Sequence, residues 1–186
     1  TLFPYTTLFR SSHVLESLAA VAPQTSSWRS LPNRSAHELR FARCCYDHLA
    51  GQVGVAVTQG MLQQGFILER NEREYVLTRC GIEWLQSLNP QAGEPCLHDH
   101  VQARRCLDWT ERQHHIAGPL GTHLLETFCQ QGWLRRTVGS RAVYVTSPGW
   151  RAFKLHLGIE HLRHLEAPLH AVTPARKTLM PAPVAS

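Results

Sequence analysis

One stretch of this chain occurs twice, and that fact constrains the fold more than any other. The run from His48 to Ile67 recurs from His115 to Leu134 at a constant offset of 67, with seven of twenty positions identical. About one identity is expected by chance, so the chain reads as an internal duplication. Six further pairs exchange one apolar residue for another: Leu49/Ile116, Val53/Leu120, Val57/Leu124, Met61/Phe128, Phe66/Trp133 and Ile67/Leu134. Whatever one copy folds into, the other must fold into as well.

The local signals within each copy follow a common order. Pro119 fits the first turn of a helix, which predicts helix starts near Gly118 and, by equivalence, near Gly51. Val53, Val57 and Met61 form an apolar stripe at helical spacing, matched by Leu120, Leu124 and Phe128. Gly54 and Gly121 each weaken a helix interior, by about 1 kcal/mol against alanine, so their recurrence predicts a second helix packed closely there. Gly65 and Gly132 stand where a helix C-cap belongs. A hairpin follows each cap: Phe66-Ile67-Leu68 with Tyr75-Val76-Leu77, and Trp133-Leu134-Arg135 with Val143-Tyr144-Val145. Thr78 and Thr146 then read as N-caps of short closing helices. The fold class expected is mainly α with small β-hairpins, in two tandem winged-helix-like units.

The repeat extends upstream at a different offset. Ala42-Arg43-Cys44-Cys45-Tyr46-Asp47 aligns with Ala103-Arg104-Arg105-Cys106-Leu107-Asp108 at an offset of 61, so copy two carries six extra residues, Trp109 to His114. Ser35 and Glu38 have capping-box spacing, and Leu39, Ala42, Tyr46 and Leu49 fall on one helical face. A helix running through this segment is expected. Arg43–Asp47 and Arg104–Asp108 would then be i, i+4 ion pairs.

The rest of the chain divides around the copies. Residues 1–11 read as translated sequencing adapter rather than as a leader, since they lack an initiator Met, a basic start and a continuous apolar core. Residues 12–23 read as the remnant of a helix following a missing N-terminal helix-turn-helix, 24–34 as a linker, and 35–89 as repeat one. Residues 90–96 form a second linker, 97–159 repeat two, and 160–186 a Pro-rich disordered tail. No apolar run reaches the roughly 18 residues that cross a membrane. A net charge of +5 permits a nucleic-acid partner without demanding one. Six cysteines with no signal peptide suit a reducing cytoplasm, the thiols reduced or metal-bound.

Several strings resemble a known family. Cys45 to Gly51, Cys106 to Arg112, Gln131 to Arg136 and Gly139 to Ala142 resemble the C-terminal half of a branch of ArsR/SmtB-type bacterial transcriptional regulators, related to the cadmium- and lead-responsive CmtR kind. The resemblance covers roughly residues 35–158. It implies a cytoplasmic, dimeric, winged-helix protein that binds double-stranded operator DNA and releases it on sensing a metal ion. The DNA-reading segment of such proteins lies upstream of these strings. The chain is therefore expected to carry the effector and dimerisation region of an N-terminally truncated regulator.

The candidate site residues come from thiols and arginines. Cys45 and its repeat partner Cys106, with Cys44, are candidate metal ligands whose softness suits Cd, Pb or Zn as an effector. The competing reading makes Cys45 and Cys106 small core residues on helices. His98 and His100 are weaker candidates, and the recurrence of His48 as His115 suggests a structural role at a helix start. The second wing carries Arg135, Arg136 and Arg141 against an acidic balance in the first, so phosphate contact would belong to it. No G-x-S-x-G, phosphate-binding glycine loop or H-E-x-x-H is present, and no enzyme is expected. Two alternatives are an interaction module without DNA binding and a small metal-dependent enzyme built on the Cys/His groups.

Overall fold

The computed structural model describes residues 34–88 and 103–160, together with Leu18. The adapter-like segment, the first linker except Arg34, the second linker, most of the expected helix before Pro23, His98, His100 and all but the first residue of the tail lie outside them. Copy one contains α1 (Arg34–Phe41), β1 (Arg43–Cys45), β2 (His48–Ala50), α2 (Gly51–Gln63), β3 (Ile67–Glu69), β4 (Glu74–Leu77) and α3 (Arg79–Leu88). Copy two contains β5 (Ala103–Leu107), β6 (His114–Ala117), α4 (Gly118–Gln130), β7 (Leu134–Arg136), β8 (Val143–Val145) and α5 (Ser147–Leu157). The architecture is mixed, with helices and small antiparallel hairpins, and fits two winged-helix-like units.

The local expectations about helix ends hold in both copies. The helices α2 and α4 start at the paired glycines and end before Gly65 and Gly132, each at a φ of +69°. Both ends close with the same bond. The Phe66 amide donates to the Met61 carbonyl at 2.9 Å and the Trp133 amide to the Phe128 carbonyl at 2.8 Å. Thr78 and Thr146 each accept from the amide three residues on, at 3.1 and 3.0 Å. The apolar stripes of α2 and α4 enter one continuous core with residues of both copies, Phe128 and Met61 being fully buried.

Three expectations fail. The helix expected through Leu49 stops at Phe41, and the next nine residues form a tight hairpin. Tyr46, placed on the expected apolar face, lies at the hairpin turn with φ +58° and is exposed. Strand pairing at long range overrides a helical spacing that was coincidental. The i, i+4 ion pairs vanish with the helix: Arg43 instead pairs with Asp108 of the other copy, and Arg104 lies exposed on a strand. Gly54 and Gly121 do not make room for another helix. A Cβ at Gly54 would come 2.6 Å from the Leu49 carbonyl oxygen, and one at Gly121 2.5 Å from that of Ile116, so each helix turns back tightly on its own preceding strand.

The copies are exchanged rather than merely adjacent. The leading hairpin of copy two, β5–β6, extends the wing of copy one into the four-stranded order β3-β4-β5-β6, with Tyr75 opposite Ala103 and Glu74 opposite Arg104. The leading hairpin of copy one meets the wing of copy two at repeat-equivalent positions. Arg43 bridges to Ala142, and the Val143 amide donates to the Ala42 carbonyl at 3.0 Å. The Cys44 amide reaches the Arg141 carbonyl at 2.8 Å, as the Arg105 amide reaches that of Arg73. In turn α2 packs on β6 and α4 on β2. Each unit completes the other around a pseudo-twofold axis.

Candidate metal centre

The exchange brings one face of each leading hairpin to the axis. Within each hairpin a cysteine lies directly opposite a histidine, Cys45 against His48 and Cys106 against His115. All four residues are buried, and one ligand atom from each lies within 4.8 Å of the other three. Ala50 and Ala117 pack with the two cysteines, and their small side chains leave the space to the thiols. Cys45 and Cys106, candidates from the sequence, thus come together. Their elements are strands, not the helices of the competing core reading. Cys44 does not join them: on an extended strand its side chain points to the opposite face. Burial raises the Cys44 thiol pKa, Arg136 and Arg141 oppose the rise, and Cys129 lies near. None of the cysteines in the described residues is in a disulfide.

The imidazoles face each other. His48 Nε2 and His115 Nε2 are 3.2 Å apart, with ring centroids at 5.1 Å. Behind each ring stands a carboxylate. His48 Nδ1 is 3.0 Å from Asp47 Oδ1, and His115 Nδ1 is 3.5 Å from Asp108 Oδ2. Asp47 and Asp108 are repeat partners, so the carboxylate behind the histidine is itself a duplicated feature. At His48 the hydrogen-bonded carboxylate fixes the tautomer and leaves Nε2 to bind forward, whereas His115 Nδ1 makes no hydrogen bond. Burial alone would lower the His48 pKa, but Cys45 and Asp47 carry it above the usual value. The Cys45 thiol is pushed up to about 12 by its hydrogen bond with Cys106 and by burial, against the pull of the two histidines.

Asp108 is a hub joining the centre to the rest of the molecule. Both its oxygens accept from Arg43 Nη2 at 2.9 Å, with neither side chain more than 3% exposed. Oδ2 also accepts from the Gly51 amide at 2.7 Å, capping the N-terminus of α2 from the other copy. Oδ1 accepts from the Thr110 amide and hydroxyl and from the Glu111 amide. Burial raises the pKa of this carboxyl, but Arg43, Thr110 and Gly51 outweigh it and hold the group at about 2. Arg43 in turn donates to the Leu39 carbonyl at the end of α1 and lies under the Trp109 ring, 5.1 Å from its centroid.

The sequence reading missed His48 and His115 as a facing pair. The signals were present: Cys45-Tyr46-Asp47-His48 has C-x-x-H spacing, and both residue types recur in copy two. The wing-two arginines Arg135, Arg136 and Arg141 are all exposed. Arg135 lies over the Tyr144 ring at 5.5 Å, while Arg136 and Arg141 act on the Cys44 thiol across the strand.

Comparison with known proteins points to transcriptional regulators. The chain is 35% identical over 150 residues to the uncharacterized HTH-type transcriptional regulator YdfF of Bacillus subtilis (strain 168). At that identity and length the two are homologous. The match takes in 81% of this chain and 66% of the relative, so the chain spans just under two thirds of the curated protein it matches. No family model matches the chain, and no solved structure matches it.

Proposed function

We propose that this chain is the effector and dimerisation portion of a DNA-binding transcriptional regulator of the ArsR type, with the operator-reading segment in the part of the protein the chain does not span. The observation that carries this reading is the homology to an HTH-type regulator across most of the chain. The regulator works as a cytoplasmic homodimer and responds to a soft or borderline metal ion, of the Zn or Cd class, at the buried thiols Cys45 and Cys106. The buried Cys/His cluster supports this role over catalysis, since four such ligands on one ion would leave it no open position for substrate. In the described residues no helix is long and apolar enough to cross a membrane.

Binding of the longer gene product to its own upstream DNA, followed by fluorescence anisotropy across a salt series, tests the reading. Sequence-specific binding that weakens on adding Zn(II) or Cd(II) is expected. Replacing Arg135, Arg136 and Arg141 with Ala should flatten the salt slope by about one unit for each phosphate that these side chains neutralise. An unchanged slope would remove wing two from the DNA interface. No specific binding by the longer product would favour the interaction-module alternative.

A further inference from the structure

We propose that Cys45, His48, Cys106 and His115 form a closed, four-coordinate site for one Zn(II)-class ion, two ligands from each copy, with entry from the Asp47 side. The site stands on its own geometry; only its role as effector site rests on the regulator reading.

A hydrogen-bond count makes the first argument. His48 Nδ1 hydrogen-bonds the Asp47 carboxylate, which accepts and cannot donate when ionised, so it keeps its proton and its Nε2 presents a lone pair. That lone pair meets His115 Nε2 at 3.2 Å in a buried setting, where one hydrogen lies between the rings. His115 Nδ1, 3.5 Å from Asp108, is then left buried without a hydrogen bond. A divalent ion between the rings takes a lone pair from each Nε2 and puts the His115 proton on Nδ1, facing Asp108. With two thiolates the ion forms a neutral centre, and the Asp108 charge is already balanced by Arg43.

Spacing makes the second argument. Tetrahedral zinc with bonds of about 2.0 Å to nitrogen and about 2.3 Å to sulfur separates its ligand atoms by about 3.3 to 3.8 Å. The nitrogen pair here stands at 3.2 Å, and the whole set falls within 4.8 Å. Closure onto an ion needs shifts of about 1 Å or less, within the reach of side-chain torsions on two hairpins. Binding releases the two thiol protons to solvent, moves the His115 proton from Nε2 to Nδ1, and forms four metal–ligand bonds.

Ligand type selects the ion. Two sulfurs and two imidazoles suit Zn(II) and its larger d10 congener Cd(II), and disfavour Mg(II) and Ca(II), which take oxygen. Pb(II), whose lone pair favours three thiolates on one side, would need a third sulfur, and Cys44 faces away. The Pb expectation therefore falls out of this site.

The two flanks of the centre differ in access. On one flank the loop bearing Trp109 to Glu111 covers Arg43 and Asp108. On the other the Asp47 side chain is 57% exposed, in an open cleft with Arg104, Thr122 and His123. Asp47 is the one carboxylate among the described residues that touches both solvent and a ligand histidine.

The test uses the whole 186-residue chain, reduced and stripped of metal, titrated with Co(II) as a spectroscopic probe and then with Zn(II). One Co(II) per chain is expected, with the intense d–d absorption of a tetrahedral site and a thiolate charge-transfer band, both removed by one equivalent of Zn(II). Cys45→Ser/Cys106→Ser should abolish the charge-transfer band, and Cys44→Ser should leave it. Asp47→Asn, on an exposed residue that does not hold the fold, should weaken Zn(II) binding about 10–100-fold and keep the stoichiometry. Absence of stoichiometric Co(II) binding by the folded wild-type chain would overturn the site. So would an unchanged charge-transfer band in the double variant, or equal loss on Cys44→Ser. If the double variant does not fold, the wild-type spectrum and Asp47→Asn still decide. A bound ion here, with no operator binding by the longer protein, would support the site and sink the regulator reading.

Discussion

The two leading hairpins descend from one sequence yet treat the same carboxylate in opposite ways. In copy one, a short turn carries Asp47 out to solvent, where it holds His48 and the Thr122 hydroxyl, at 3.0 and 2.9 Å. In copy two, six extra residues fold over the equivalent Asp108, which becomes wholly buried and serves Arg43, Gly51, Thr110 and Glu111 as well as facing His115. The Cys–His pair survives unchanged in both hairpins. Divergence has therefore acted around the ligands and not on them: an insertion converted one flank into a lock and left the other as an opening. A buried charge that is fully paired stabilises only while every partner remains, whereas an exposed one contributes little either way.

Urea denaturation of the metal-free chain should separate the two flanks. The largest effect is expected for Arg43→Ala, which strands the Asp108 carboxylate and should cost about 3–5 kcal/mol. Arg104→Ala, at the repeat-equivalent position, should fall within about 0.5 kcal/mol of wild type, as surface changes do. Similar losses for the two would mean that the flanks are energetically alike and the lock is not real. Next come positions where the copies agree. A Cβ at Gly81 would meet the Phe66 carbonyl oxygen at 2.1 Å, and one at Gly149 that of Trp133 at the same 2.1 Å. Gly81→Ala and Gly149→Ala should each cost about 1–3 kcal/mol, by nearly equal amounts. A large gap between them would show that the pseudo-symmetry does not extend to the wings.

A smaller asymmetry lies on the central helices. The Thr58 hydroxyl donates to the Gly54 carbonyl and accepts from the Ile116 amide at 3.1 Å, while its repeat partner is Leu125. Thr58→Val should leave that buried amide unpaired and cost about 1–3 kcal/mol. A small effect is also expected for Arg40→Ala. Its bond to Glu111 ties α1 to the inserted loop, but the Arg40 side chain is 55% exposed, so the loss should stay below about 1 kcal/mol. A larger loss would make the exposed rim, rather than the buried pair, the fastening of the loop.

What could be read in the sequence was whatever is decided locally. Helix starts at Gly51 and Gly118, caps at Gly65 and Gly132, and the N-caps Thr78 and Thr146 depend on a few neighbours, and the duplication checked each against its partner. The leading hairpins depend instead on pairing with the other copy's wing, Arg43 with Ala142 and Glu74 with Arg104, which no local spacing records. Leu39, Ala42, Tyr46 and Leu49 therefore mimicked a helix face. The ligand set was hidden for a related reason. The cysteines repeat at an offset of 61 and the histidines at 67, so neither alignment alone shows that Cys45–His48 and Cys106–His115 are equivalent pairs. Cys44 was indistinguishable from Cys45 until the strand assigned them to opposite faces.

The central claim is that the two copies meet in one metal centre to which each gives a thiolate and an imidazole. X-ray absorption at the zinc edge of the Zn(II)-loaded 186-residue chain tests it most directly. A first shell of two sulfurs at about 2.3 Å and two nitrogens at about 2.0 Å is predicted. A shell dominated by oxygen, or one with three or four sulfurs, would contradict it.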